Sequence, residues 1–266
     1  MHLFRLQRPL LFGLSLAVAF WLGLNIHGAP PAGAAEPVAQ QSTDGPLAQV
    51  VLTPTKDNTI YEATANFRSN GVGDYLFAGK NGSGAAVRGL LAFDIAGALP
   101  PSTTILSVTV RLDSQPPSKN AGPMTVRLHR LARDWGEGTS NAPQGEAQGA
   151  PATPGDATWQ HTFFDTEQWT TVGGDFAPTA SATTTVNGAG LYNWSSPTLL
   201  TDVQGWLANP TTNFGWLLVG DESQSADIKR FASRNNTSGA ALPQLIITYE
   251  GQVNEAQLIY LPLVRN

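Results

Sequence analysis

The sequence predicts an all-β protein, a jelly-roll-like antiparallel β-sandwich with one short helix. The 266 residues include 27 glycines and 19 prolines, which suit the frequent turns of such a fold. Several short stretches alternate apolar and polar residues, which is the period of a strand with one buried face. Only one stretch has the spacing of an amphipathic helix. Together these features favour a sandwich over mixed or helical classes.

The strand signals are clearest at VRGLLAFDI (87–95) and TILSVTVRLD (104–113). In the second stretch, alternation predicts one set of core-facing residues: Leu106, Val108, Val110 and Leu112. The later stretches PMTVRLHRLA, FGWLLVGD and PQLIITYE are also predicted as strands. Near the start of the domain, QVVLTPTKDNTIYE is interpreted as two extended pieces separated by a turn that contains Pro54 and Asp57-Asn58.

The single helix is predicted within SSPTLLTDVQGWLANP. Ser196 can cap its first turn, and Pro197 suits the first helical position because proline lacks an amide proton. Asn209-Pro210 is expected to end it. One face carries the apolar residues Leu199, Leu200, Val203, Trp206 and Leu207.

The N-terminal residues predict export. Residues 1–35 contain Arg5 and Arg8, an apolar run and a small-residue stretch, GAPPAGAA, which together are typical of a cleaved secretory signal peptide. An uncleaved membrane anchor is the alternative. Residues 36–48 are predicted as a linker and 49–250 as the sandwich. The protein is therefore expected to be secreted or held at the cell surface.

Composition excludes several functional classes. Removal of residues 1–35, which carry two arginines and no acid, changes the formal net charge from −5 to −7. An acidic domain is a poor partner for nucleic acid, and no stable membrane span is expected after signal cleavage. The chain has no cysteine, which excludes disulfides and thiolate chemistry. A domain of about 200 residues can bury enough core without disulfides, and we expect a monomer.

The order of the motifs resembles a known family. Along the chain, TPTKDNTIYE, VRGLLAFDIAGALPPSTTILSVTVRL, VRLHRLARDWGEGTS, WTTVGGDF, DVQGWLANPTTNFGWLLVGDE and PQLIITYE are similar in order and spacing to the DNRLRE domain family. That family of extracellular β-sandwich domains is similar to carbohydrate-binding module family 96. The resemblance covers about residues 50–249. It implies a secreted binding or surface domain and does not name a ligand.

The long connection from residue 133 to 175 contains the candidate binding residues. An indole covers the C–H face of a sugar ring, and neighbouring polar groups take its hydroxyls. The candidates are Trp159, His161, Trp135, Glu137 and Trp169. The alternative is that the tryptophans anchor the connection to the sheets, since tryptophan is largely buried on average. Gly173-Gly174-Asp175 is interpreted as a turn with positive φ, with Asp175 capping backbone amides.

A structural calcium ion is the one cofactor that the residues suggest. Calcium takes carboxylate and carbonyl oxygens from several loops. Oxygen-bearing side chains occur near the predicted strand ends: Asp57, Asn58, Glu62, Asp74, Asp156, Asp175, Asp221 and Asp227. No Asp-x-Asp-x-Asp-Gly loop is present, so the sequence specifies no ligand set.

These observations predict a non-catalytic module that binds polysaccharide or a cell-surface glycan. The alternative is a structural or adhesive cell-envelope protein with no small ligand. Motifs for nucleotide binding, zinc hydrolysis and serine hydrolysis are absent from the sequence, and we expect no enzymatic activity. The remaining alternative is a polysaccharide hydrolase or lyase; a lyase could draw on Tyr61, Tyr75, Tyr192 and Arg68.

The C-terminal residues 251–266 form a separate tail, which contains the apolar run LIYLPLV. This run is too short to span a bilayer. It is interpreted either as a sorting or attachment signal, or as a last strand or segment docked on the sandwich. In the second case Pro262 would confine it to a sheet edge.

Overall fold

A computed structural model describes residues 46–115, 122–223 and 227–251. The predicted signal peptide, most of the predicted linker and all but the first residue of the tail lie outside these ranges. Among the residues within them, no helix is both long and apolar enough to cross a membrane.

The described chain is built almost entirely of short strands, with one α-helix and one 3-10 turn at Pro210–Thr212. The elements are β1 (Leu47–Leu52), β2 (Lys56–Tyr61), β3 (Arg68–Ser69), β4 (Tyr75–Lys80), β5 (Ala86–Ala92), β6 (Ile105–Ser114), β7 (Met124–Arg130), β8 (Ala150–Pro151), β9 (His161–Phe163), β10 (Glu167–Gln168), β11 (Ala182–Val186), β12 (Gly190–Trp194), α1 (Pro197–Ala208), β13 (Trp216–Val219), β14 (Ile228–Ala232) and β15 (Gln244–Glu250). The predicted fold class is confirmed: the protein is a jelly-roll-like antiparallel β-sandwich with one short helix.

Every strand pairing in the described chain is antiparallel. Thirteen strands belong to one hydrogen-bonded network, and β9 and β10 form a separate hairpin. The main path runs β1-β15-β6-β14-β4-β5-β13-β7-β11, while β12 joins β6, and β2 joins β5 and β3. At the end of this path β1 pairs with β15, and the amide of Gly251 donates to the carbonyl of Pro46 at 2.7 Å. The two ends of the sandwich therefore lie side by side.

The main core lies between the inner faces of the strands. It receives buried apolar side chains from β4 to β7, from β11 to β15 and from α1. The predicted helix is confirmed at Pro197–Ala208, where Ser196 Oγ accepts from the Leu199 amide at 3.0 Å. Its buried face packs Val203 and Trp206 into this core, and the Trp206 ring lies edge-on to Trp216 with centroids 4.6 Å apart.

A second apolar cluster lies on the opposite face of β5 and β13. There Leu90 and Leu217 meet tryptophans from the connection between β7 and β11. Since Leu91 and Leu218 point into the main core, β5 and β13 are buried on both faces. This explains why their sequences are near-continuous apolar runs rather than alternating ones.

Two local predictions are wrong. Leu106 does not face the core but is 41% exposed. The ladder between β6 and β15 shifts there, since Thr248 pairs with Ser107 while Tyr249 pairs with Ile105, and Ile105 takes the buried position. Asp57-Asn58 does not form a turn either, because both residues are buried within β2. Separately, β1 begins at Leu47, two residues before the predicted start of the sandwich at residue 49.

Candidate functional site

The tryptophans of the connection are buried. Trp135 is fully buried, and its indole Nε1 donates to the Phe214 carbonyl at 2.8 Å. The Lys56 ammonium lies 4.4 Å from the centre of the Trp135 ring. The indole therefore has a polar partner, a cation over its ring and no free face for a sugar. This geometry favours the anchoring alternative for Trp135.

Two backbone carbonyls, those of Thr158 and Trp159, fix the connection around the next two tryptophans. The Thr158 carbonyl accepts from Trp169 Nε1 at 2.9 Å, and the Trp159 carbonyl accepts from the Gly173 amide at 2.6 Å. Both indoles pack in the second apolar cluster. The sequence-predicted Trp135, Trp159 and Trp169 are thus brought together, but as a buried group.

Arg88 of β5 covers the Trp159 ring. Its guanidinium carbon lies 4.5 Å from the ring centre, and Nη1 donates to the Gly173 carbonyl at 2.7 Å. A bidentate pair with Glu222, at 2.7 and 2.8 Å, holds the guanidinium in this plane. The predicted turn is confirmed, with φ of +86° at Gly173 and +114° at Gly174.

Glu137 does not line the tryptophan cluster but belongs to a polar cluster with Asp57 and Arg234. Its Oε1 accepts from the Asp57 amide at 2.9 Å and from Arg234 Nε at 2.7 Å. Asp57 Oδ2 in turn accepts from the Arg234 amide at 2.7 Å. Burial raises the pKa of Asp57 to about 7; the hydrogen bond from the Arg234 amide opposes this rise, and the Glu137 carboxylate adds to it. Glu137 thus connects three segments of the chain, and its prediction as a ligand contact stays untested.

His161 is surrounded by aromatic rings. The ring centres of Phe67 and Phe164 lie 4.8 and 5.2 Å from that of His161, both edge-on. His161 Nδ1 lies 2.9 Å from Thr158 Oγ1, which also accepts from the backbone amides of Gln160 and His161. With both hydroxyl lone pairs occupied, Thr158 must donate its proton to Nδ1. His161 is therefore neutral with its proton on Nε2, and burial lowers its pKa.

Next to His161 the surface forms a groove of about 440 Å³, here called the aromatic groove. It is lined by Asn66, Phe67, Arg68, Pro151, Ala152 and Phe164. The two phenylalanine rings are half-buried, with centres 6.0 Å apart. Arg68 is exposed at the rim, where its Nη1 donates to the Gly149 carbonyl at 3.1 Å. The groove thus combines apolar ring surface with side-chain hydrogen-bond donors.

Of the binding candidates predicted from the sequence, His161 is the one that adjoins this groove, and the phenylalanines were not among them. His161 was a candidate, and Phe164 stands three residues after it, but Phe67 and Arg68 lie almost a hundred residues earlier. They meet because β3, which begins at Arg68, pairs with β8, and β8 opens the stretch that leads to His161. The available signal was Phe67-Arg68 followed by the polar residues Ser69 and Asn70.

The acids proposed for calcium mainly accept backbone amide protons. Asp156 Oδ1 accepts from Thr139 at 2.9 Å, and Asp175 accepts from Thr170 and Thr171, both at 2.7 Å, which confirms its predicted capping role. Asp74 Oδ1 accepts from Thr237 at 2.8 Å. Within the described ranges, no three acids or histidines converge as a metal site would require. A calcium ion stays an untested prediction.

No protein-family model matches the chain, and a search of curated proteins also found no match. The resemblance to the DNRLRE family therefore stays a prediction that rests on the motifs alone.

Proposed function

We propose that the protein is a secreted, non-catalytic module that binds a polysaccharide or cell-surface glycan in the aromatic groove. The observation that carries this proposal is the juxtaposition of the half-buried rings of Phe67 and Phe164, 6.0 Å apart, with the exposed side chains of Asn66 and Arg68. The resemblance to extracellular sandwich domains supports the same function.

The chemistry of the groove suits a sugar. Ring faces and edges of phenylalanine accommodate the C–H surface of a pyranose, while amide and guanidinium groups hydrogen-bond to hydroxyls. The Gly149 carbonyl fixes one nitrogen of Arg68, so that the guanidinium is held at the rim before a ligand arrives. A preorganised side chain loses less conformational entropy on binding.

We further propose that the module acts outside the cell as a monomer and performs no chemistry on its ligand. Among the described residues, the buried acids with raised pKa are Asp57 and Glu146, and both accept hydrogen bonds from backbone amides. They hold loops in place, whereas general acids and bases act on groups of a bound substrate.

A glycan array followed by affinity electrophoresis tests the proposal. The exported chain should be retained by at least one polysaccharide. Phe164→Ala and Phe67→Ala should each weaken retention about tenfold, because one aromatic contact contributes about 1 kcal/mol or slightly more. Val172→Ala is the matched control, because Val172 is apolar, 58% exposed and in the same connection.

Circular dichroism of each variant separates lost binding from lost folding. Absence of retention on every glycan would remove the proposal, and so would a Phe164→Ala variant that is folded and binds as tightly as the parent. Trp159→Ala is expected to lower the melting temperature instead, since Trp159 is buried beneath Arg88.

One observation favours the structural or adhesive alternative. All six tryptophans in the described part of the chain are buried, so no indole there is displayed for stacking. A protein that needs only a rigid sandwich would have this property. The same array and electrophoresis distinguish the two functions, because this alternative requires that no glycan is retained.

A further inference from the structure

A second groove lies where the sandwich ends, and we call it the terminal groove. Its volume is about 430 Å³, and its lining includes Pro46, Leu47, Pro100, Tyr249 and Gly251. Leu47 is 71% exposed, and Val51, on the same strand, is 48% exposed. Both side chains project from the same exposed face of β1, about 13 Å apart with Gln49 between them, and Leu47 lines the groove. A segment that covers them would remove apolar surface from water.

Within the part of the chain that the structure describes, the strand that carries these side chains has a partner along one edge only. Among the described strands, β1 pairs with β15 alone and ends the main path of the network. A free edge exposes unpaired backbone amides and carbonyls, which form a template for a further extended segment. The terminal groove and the edge of β1 therefore offer both an apolar surface and hydrogen-bonding groups.

The chain itself supplies an apolar segment at this place. Gly251 lines the terminal groove and is bonded to Pro46, and residues 252–266 follow it directly. The run LIYLPLV occupies residues 258–264. The six residues 252–257 can span about 20 Å when extended, and β1, with six residues, is about 20 Å long. The run can therefore reach the whole of β1 from its attachment point.

We propose that residues 258–264 dock in the terminal groove and along the exposed side of β1, and cover Leu47 and Val51. A segment tethered at the rim has an effective concentration in the millimolar range, which favours it over a separate molecule. Pro262 is compatible with this position, because proline is tolerated where a strand forms the edge of a sheet. The proposal does not depend on glycan binding.

Hydrogen exchange measured by mass spectrometry on the whole exported chain tests this docking. Peptides that cover residues 258–264 should exchange at least tenfold more slowly than a synthetic peptide of the same sequence. Leu47→Asp should remove most of that protection, because it places a charge under the docked segment. Val172→Asp, at a comparably exposed apolar position in the connection, should leave the protection unchanged.

A second measurement uses truncation after Gly251. Truncation should lower the melting temperature by about 2–4 °C, as a loss of one modest apolar contact would in a domain of this size. Leu47→Asp should have less effect in the truncated chain than in the whole chain, because both changes remove the same contact. Free exchange of residues 258–264 in the parent would overturn the proposal. A dimer that Leu47→Asp dissociates would do the same, since it would assign the surface to a second copy.

Discussion

At the scale of single residues, the hydrogen-bond partners of Nδ1 determine which ring nitrogen carries the proton in each of the two described histidines. His129 Nδ1 lies 2.9 Å from the Ala177 carbonyl, which can only accept, so this nitrogen carries a proton. His161 Nδ1 instead receives the proton of Thr158, as argued above. The two neutral imidazoles are therefore opposite tautomers.

We expect long-range ¹⁵N–¹H correlation spectra to show the proton on Nδ1 in His129 and on Nε2 in His161. Burial lowers the pKa of both imidazoles below the ordinary value of 6.5. Because the pKa of each histidine is lower in the folded protein than in the unfolded chain, the unfolded chain binds more protons below pH 6.5. The stability that the two neutral imidazoles contribute is therefore present above pH 6.5 and is lost as the pH falls towards the folded pKa. Thr158→Val should abolish the tautomer preference of His161 only; the same tautomer in both histidines of the parent would contradict the assignment.

The sequence alone does not distinguish a binding tryptophan from an anchoring one. An indole next to an acid has the same sequence pattern whether the ring is open to a sugar or packed against a sheet. Burial distinguishes the two, and it depends on Leu90 and Leu217, which come from strands remote in sequence. Phe67 and Phe164 were missed for the same reason, since only strand pairing brings them together.

At the scale of elements, the connection between β7 and β11 behaves as a third layer packed on the sandwich. Its tryptophans fill the second apolar cluster, and its turn at Gly173 and Gly174 is held by Arg88 from β5. A Cβ at Gly173 would lie 2.6 Å from Arg88 Nη1 and 2.9 Å from Trp159 Cζ2. Both neighbours are fixed, one by Glu222 and the other by burial.

Gly173→Ala should therefore destabilise the protein by about 2–3 kcal/mol, from the left-handed backbone and the close contacts together. Urea unfolding measures this loss. Gly155→Ala is the matched control, since Gly155 lies in the same connection with φ of +87° and a Cβ there meets nothing within 4 Å. Equal losses in the two variants would show that the contact between the turn and Arg88 has no energetic consequence.

Elements were predictable where a single periodicity governs them. The helix was located from its cap and apolar face, β6 and β7 from alternation, and β13 and β15 from near-continuous apolar runs. Alternation failed at Leu106, because a ladder irregularity depends on the partner strand. It failed at β2 because Asp57 and Asn58 are turn formers by propensity, yet here their side chains are buried and bonded to remote segments.

At the scale of the whole molecule, Asp57 and Glu137 join three distant segments. Asp57 belongs to β2, Glu137 to the connection, and Arg234 to the loop after β14. The pKa of Asp57 is raised from its ordinary 3.8 to about 7. The folded protein therefore binds a proton that the unfolded chain releases between about pH 4 and 7.

This linkage makes stability fall as the pH rises through that window, since a raised folded pKa contributes stability below the unfolded pKa and loses it above the folded one. Asp57→Asn should remove this decline. In the parent the free energy of unfolding should fall between pH 5 and pH 8 by on the order of 1–3 kcal/mol more than in the variant. Chemical denaturation at the two pH values measures it, with exposed Asp94→Asn as the control. A decline of equal size in Asp57→Asn would exclude Asp57 as its source.

The hydrogen bond between Gly251 and Pro46 has a mechanical consequence. Residues 47 and 250 are the first pair of the β1–β15 ladder, so tension applied through residues 46 and 251 loads that ladder from one end. The hydrogen-bonded residue pairs of the ladder would break one after another, so that only one pair at a time resists the applied force. A domain stretched between two anchors at these points would open under weak pulling, however stable it is to heat.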